Sequence, residues 1–291
     1  MCGIGGVWVM GNDKLTKKDA QRLEELAIYL ETRGTDAFGF YNGEKVIKFP
    51  SCASDVIEMI DRIKPFEELV IGKNMFLMHT RAYTNGDPLR NKNNHPFELK
   101  DIVFAHNGVV HVQTTYVDYR WKGKHQSKGV EYIDSYEIFG RIEIDLPETD
   151  SFEIGVQIQR EYNKRKDFKK AVVKALERLI YYGDMAVWVY SKKEDLLALF
   201  KHERPLYISY EDGKLWFASE GWMLKNIGLS NTVFVGEGEL LIYDRNGKVY
   251  GDFLVDEYYY AYDNTEMSEK DVDDLEKEYW KLWRDYGFWY Y

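Results

Sequence analysis

A chain of 291 residues, 45% of them apolar and 30% charged, is long enough to bury a large core and too apolar to remain disordered. Its formal charge of −10 argues against a general nucleic-acid binder, because phosphate contacts need a positive surface. Two cysteines, Cys2 and Cys52, are too few for a disulfide framework, and with no basic leader and no apolar run of roughly 20 residues the expectation is a soluble, cytoplasmic protein with no membrane partner.

In chain order, Gly3 to Met10 is short, apolar and Gly-rich with β-branched and aromatic members, which predicts a buried strand. A helix follows. Thr16 and Asp19 have capping-box spacing, Ala20, Leu23, Leu26, Ala27 and Leu30 recur with helical period, and Gly34 stands where a C-terminal cap belongs. Phe38 to Phe49 reads as a hairpin turning at Asn42-Gly43, and Ser54 to Lys64 as a second helix. Residues 74–81 and 101–108 read as strands that end in the polar signatures HTR and HNG, and a site belongs at such ends.

Further on, Lys166 to Tyr182 places Phe168, Val172, Val173, Leu176, Leu179 and Ile180 on one helical face, closed by Gly183. From Met185 to about Phe253 short strands alternate with Gly, Asn and Asp turns, so the whole suggests strands and helices layered around one core. No internal repeat or linker interrupts it. Beyond Asp256 the composition becomes acidic and aromatic, with a helix expected from Ser268 to Asp285. The expected organisation is a domain over 2–255 and an appendage over 256–291.

Cys2 carries the chemistry. A free α-amine titrates near 7.7 to 8.0 and a thiol near 8.5, so an N-terminal Cys places a nucleophile beside a base, provided that Met1 is removed. A Cys at position 2 is by itself most often a small packed residue. Its company changes that: CGIGG at 2–6, RGTDAFG at 33–39, HTRAYTNG at 79–86, NNHP at 93–96, HNG at 106–108, Asp134-Ser135, Arg204-Pro205-Leu206 and Ala218-Ser219-Glu220. In this order they resemble the signatures of the class II, N-terminal nucleophile, glutamine amidotransferases over roughly residues 2–245.

The resemblance implies a four-layer αββα sandwich of two antiparallel sheets, the Ntn-hydrolase fold, with Cys2 starting a central strand. It implies glutamine as substrate and no cofactor. Arg81 would grip the α-carboxylate as a bidentate fork and Asp134 would pair with the α-ammonium. Asn107 and Gly108 would form the oxyanion hole through a side-chain amide and a backbone N–H. Thr84 and Gly86 would shape the pocket, and Arg33 and Asp36 would order the loop around the nucleophile. The departures are Tyr136 between Ser135 and Glu137, and Ala82-Tyr83 where the aromatic often comes first.

His79, His95 and His106, with His111 nearby, match no zinc spacing, so no metal is expected. No P-loop or GxGxxG motif marks a synthetase or transferase module, so the ammonia would pass to a separate acceptor protein. Two other readings keep the sequence: hydrolysis of a different γ-glutamyl amide, or a silent binding subunit. A basic stretch from Arg120 to Lys128 and the aromatic tail, from Tyr258 to Tyr291, are candidate contact segments, and a homo-oligomer is compatible with the tail.

Overall fold

The computed structural model describes residues 1–111 and 147–254 in full, and the backbone of 115–117 and 132–134. One sheet has seven strands in the order Thr232–Phe234 (β13), Tyr207–Glu211 (β11), Lys214–Ala218 (β12), Gly3–Val9 (β1), Met75–Arg81 (β4), Ala37–Tyr41 (β2) and Val46–Phe49 (β3). The other has six: Gly247–Phe253 (β15), Glu239–Asp244 (β14), Leu196–His202 (β10), Gly183–Ser191 (β9), Ile102–Val110 (β6) and Phe97–Glu98 (β5). Pairing within both sheets is antiparallel. A short parallel pair, Thr115–Val117 (β7) with Tyr132–Asp134 (β8), lies outside them.

Helices Lys17–Glu31 (α1), Ala53–Asp61 (α2), Glu67–Val70 (α3) and Gly221–Asn226 (α6) accompany the seven-stranded sheet. Leu23, Leu26 and Leu30 of α1, Val56 of α2 and Met223 of α6 pack there with Val7, Phe40, Phe76 and Trp216. Ser151–Arg165 (α4) and Phe168–Leu179 (α5) cover the other sheet, around Phe104, Val187, Val189 and Phe200. Between the sheets lie Ile4, Trp8, Leu77, Val103, Ala105, Trp188 and Leu199. This is the expected αββα sandwich. Each fully buried large side chain contributes about 1.5–3 kcal/mol of transfer free energy, which makes the three apolar layers the dominant favourable contribution.

Local chemistry explains most of the elements. The Thr16 hydroxyl accepts from the Asp19 N–H and the Asp19 carboxylate accepts from the Thr16 N–H, the predicted capping box that starts α1. The β2–β3 turn is closed by Asn42, whose Oδ1 accepts from the Glu44 and Lys45 N–H groups while Gly43 takes φ +88°.

Three expectations are corrected. Gly34 is not a left-handed cap: Thr32 caps α1 in the right-handed region, and Gly34 is required because a Cβ there would strike the Arg81–Ala82 backbone. The helix expected over 166–182 starts at Phe168 behind the Asp167 N-cap and gives way to a 3₁₀ turn at Ile180–Tyr182, because Lys166 adopts φ +55° and ends the preceding helix. That preceding helix, α4, was not expected; nor was the short α6 among the C-terminal strands. The Arg120–Lys128 stretch and the 256–291 segment lie outside the described residues.

Candidate active site

Strand alternation decides which side chains can meet. Ile4 and Trp8 of β1, Met75 and Leu77 of β4, and Val103 and Ala105 of β6 all point into the layer between the sheets. By the same period of two, Cys2, His79, Arg81 and Asn107 face that layer at one end of it. Ile4 pairs with His79, and the His79 Nε2 lies 3.1 Å from the carbonyl oxygen of His106, so the two sheets are in register there. Cys2, Arg81 and Asn107 are each the next residues outward.

Four of the sequence signatures converge on Cys2. The thiol donates to the Ala82 carbonyl at 3.5 Å, and the Cys2 carbonyl accepts from Arg33 Nε at 2.8 Å. Arg33 Nη1 is ion-paired with Glu220, and the preceding Ser219 accepts from the Ile4 N–H through its hydroxyl at 2.9 Å. Asp36 accepts from the Tyr83 N–H at 2.8 Å and donates its own N–H to the Arg81 carbonyl at 2.9 Å. Arg33 thus contacts the backbone of Cys2, and Asp36 that of the 81–83 segment beside it. Burial pushes the Cys2 thiol up from its ordinary pKa, against the pull of the terminal ammonium and Arg81 and with the push of Asp150. A thiol held neutral needs a base before it can attack.

Arg81 is buried and already occupied in part. Nη1 donates to Asn94 Oδ1 at 2.7 Å, while Nη2 donates to the Gly86 carbonyl at 2.9 Å and to the Asn85 carbonyl. A guanidinium has five N–H donors, so these three bonds leave two, Nε–H and the second Nη1–H, on different edges of the group and each able to meet one acceptor. Asn94 also donates to the Pro88 carbonyl at 2.7 Å, and Asn93 joins Asp87 to Glu148. Both asparagines are fully buried. They hold the loop that carries Thr84, which is exposed, and Gly86, at φ +66°. The signature at 93–96 thus anchors this loop, a role that the sequence reading did not assign.

On the facing strand, Asn107 is buried and its Nδ2 has no hydrogen-bond partner among the described residues. A buried, unpaired amide donor costs about 1–3 kcal/mol, so this Nδ2 is open to an acceptor. Gly108 has φ +140°, and a Cβ on it would run into Asp184. Asp184 Oδ1 accepts from the Val109 N–H at 2.7 Å, Asp150 accepts from the Val110 N–H at 2.9 Å, and Asp184 is ion-paired with Arg204. Burial pushes the Asp184 carboxyl up, but hydrogen bonds from Arg204 and Val109 outweigh it and the net shift is downward.

Behind these groups, His79 and His95 stack at 4.0 Å, and His106 Nδ1 lies 3.0 Å from the Ser151 hydroxyl. Burial lowers all three histidines, His79 to about 3, so they are neutral packing groups. Asp134 ends β8, and its side chain lies outside the described residues. Cys52 caps α2 and stands near no other signature. Asp150, Asp184 and Arg204 were not given roles from sequence; only Arg204 lies in a motif that could have flagged it.

No protein-family model and no curated protein matches the sequence. Solved structures do. Glutamine phosphoribosylpyrophosphate amidotransferase from B. subtilis, complexed with ADP and GMP, aligns over 88% of this chain and 50% of its own at 19% identity, with a TM-score of 0.58. A structure described as the allosteric regulatory enzyme of purine biosynthesis aligns over 88% and 49% at 18% identity, also at 0.58. A glutamine aminotransferase class-II domain protein from Silicibacter pomeroyi aligns over 87% of this chain and 99% of its own at 14% identity, with a TM-score of 0.50. The chain spans about half the length of the first two. Its fold is that of the class II glutamine amidotransferase domain.

Proposed function

We propose that this chain is a glutaminase acting through a Cys2 thioester. Removal of Met1 exposes the Cys2 α-amine, which takes the proton from the neutral thiol. The sulfur attacks the side-chain amide carbon of glutamine, the amine returns the proton to the departing ammonia, and water activated by the same amine releases glutamate. Arg81 takes the substrate α-carboxylate and Asp134 takes the α-ammonium. Thr84 and Gly86 shape the pocket.

The observation that carries this reading is the unpartnered Nδ2 of Asn107, buried on the strand that faces Cys2. With the Gly108 N–H it supplies the two donors that a tetrahedral oxyanion needs. Two further parts of the reading are that the ammonia passes to a separate synthetase or transferase protein, and that the protein acts in the cytoplasm. Glutamate release by the wild-type protein and a Cys2→Ala variant, each verified by mass to begin at residue 2, tests the mechanism. The variant is expected to be inactive; turnover at the wild-type rate would overturn the reading.

A further inference from the structure

The side chain of Met1 lies between two guanidinium groups. Its sulfur is 3.2 Å from Arg204 Nη1 and 3.9 Å from Arg33 Nη2. Burial lowers the Arg33 pKa, and the nearby positive charge of Arg204 adds to that downward push. The Met1 thioether meets both guanidinium groups, and a thioether is a weak acceptor.

Both groups are fixed from behind. Arg33 is held by the Cys2 carbonyl and Glu220, and Arg204 by Asp184. What remains is Arg33 Nη2, Arg204 Nη1 and Arg204 Nε, the last of them buried with no partner among the described residues. Two positive forks with spare donors, prevented from moving apart and separated by the width of one side chain, are arranged for a carboxylate, which makes shorter and roughly twice as strong bonds to guanidinium as neutral acceptors do.

We propose that, once Met1 is removed, the space between Arg33 and Arg204 binds an anionic group on the leaving side of the substrate. The substrate class is then a γ-glutamyl amide whose amine portion carries a carboxylate, with glutamine as the smaller substrate that leaves this subsite empty. This rests on Cys2 being the processed N-terminal residue, because Arg33 contacts both Cys2 and the subsite. In this arrangement Arg81 recognises the amino-acid carboxylate and Arg33 with Arg204 the opposite end. The scissile amide is thereby centred on Cys2.

Binding tests this without requiring turnover. Processed Cys2→Ala protein, verified by mass, is titrated by calorimetry with γ-glutamylglycine and with its neutral counterpart γ-glutamylglycinamide. The acid is expected to bind at least tenfold more tightly. Arg204→Gln added to this variant should bring the ratio of the two affinities to about one, and Arg204→Lys should restore part of the preference; melting curves verify that both variants fold. Equal affinity for the two ligands, or a preference that survives Arg204→Gln, would overturn the subsite. Glutamate release from glutamine by the wild type is scored separately, so a failed subsite and a failed glutaminase give different results.

Discussion

On one wall of the site, the loop at 82–94 is held by neutral amides and one buried guanidinium: Asn93 and Asn94 tie its backbone together and Arg81 closes it. On the other, the strand end at 106–110 is held by carboxylates, with Asp184 on the Val109 N–H and Asp150 on the Val110 N–H. The amide on this second wall, Asn107, holds nothing through its Nδ2 among the described residues. Asn93 and Asn94 use their hydrogen bonds for architecture, and on the proposed function the Asn107 donor serves the substrate. The comparison teaches that a fully satisfied buried amide and an orphaned one, alike in the sequence, do different work.

Substitution can break that comparison. Asn107→Ala is expected to lower glutamine turnover by about 10²- to 10³-fold, the usual effect of losing an oxyanion donor. Its unfolding midpoint in urea should hold or rise, because the deleted donor is a buried group with no partner among the described residues. Asn94→Ala should do the opposite. Deleting a buried amide that serves Arg81 and the Pro88 carbonyl is expected to destabilise the fold by about 1–3 kcal/mol and to raise KM more than it lowers kcat, as the Arg81 fork loses its support. If the stability loss fell on Asn107→Ala and the catalytic loss on Asn94→Ala, the division of labour would be wrong.

Acid sharpens the same contrast. His79, which titrates near 6.5 in an unfolded chain, is pushed down to about 3 here, so protonation favours the unfolded state as pH falls from about 6.5 toward 3. The lowered His95 and His106 act in the same direction, each group adding at most about 1.4 kcal/mol per pH unit. Asp184, with its folded pKa depressed, contributes stability above its unfolded value of about 3.9 and loses it only below that. Denaturant midpoints are thus expected to be level near neutrality, to decline below about pH 6.5, and in Asp184→Asn to differ in slope only below about pH 4. A midpoint unchanged between pH 7 and 5 would contradict the buried neutral histidines.

Much of this was legible in the residues. Capping at Thr16, the turn at Asn42-Gly43, the strand ending in Arg81 and the strand carrying Asn107 each announce themselves within a few positions, although the last runs on past the expected end to Val110. Helix α4 did not, and the reason is physical. It lies between a sheet and α5, and buries Glu153, Gln157, Gln159 and Glu161 along with Phe152, Ile154, Val156 and Ile158, so no polar stripe reveals its period. Gln159 is satisfied by Asp101, 58 residues away, a pairing that no local window contains. The site divides in the same way. Cys2, Arg81, Asn107 and Gly108 were named from motifs, whereas Asp150 and Asp184 act through long-range bonds to backbone N–H groups and left no local signal. Gly34 was noticed for the wrong reason, since only the fold shows the Arg81–Ala82 backbone pressing on it.

The central claim is that Cys2, as the N-terminal residue, is the nucleophile opposite Asn107. It is tested most directly by peptide-resolved mass spectrometry of the protein after treatment with a glutamine-mimicking electrophile. The account predicts a chain that has lost Met1 and carries a single adduct on Cys2, formed in step with loss of glutamate release. An adduct on Cys52 alone, or an unmodified Cys2 in a processed protein that still hydrolyses glutamine, would contradict it.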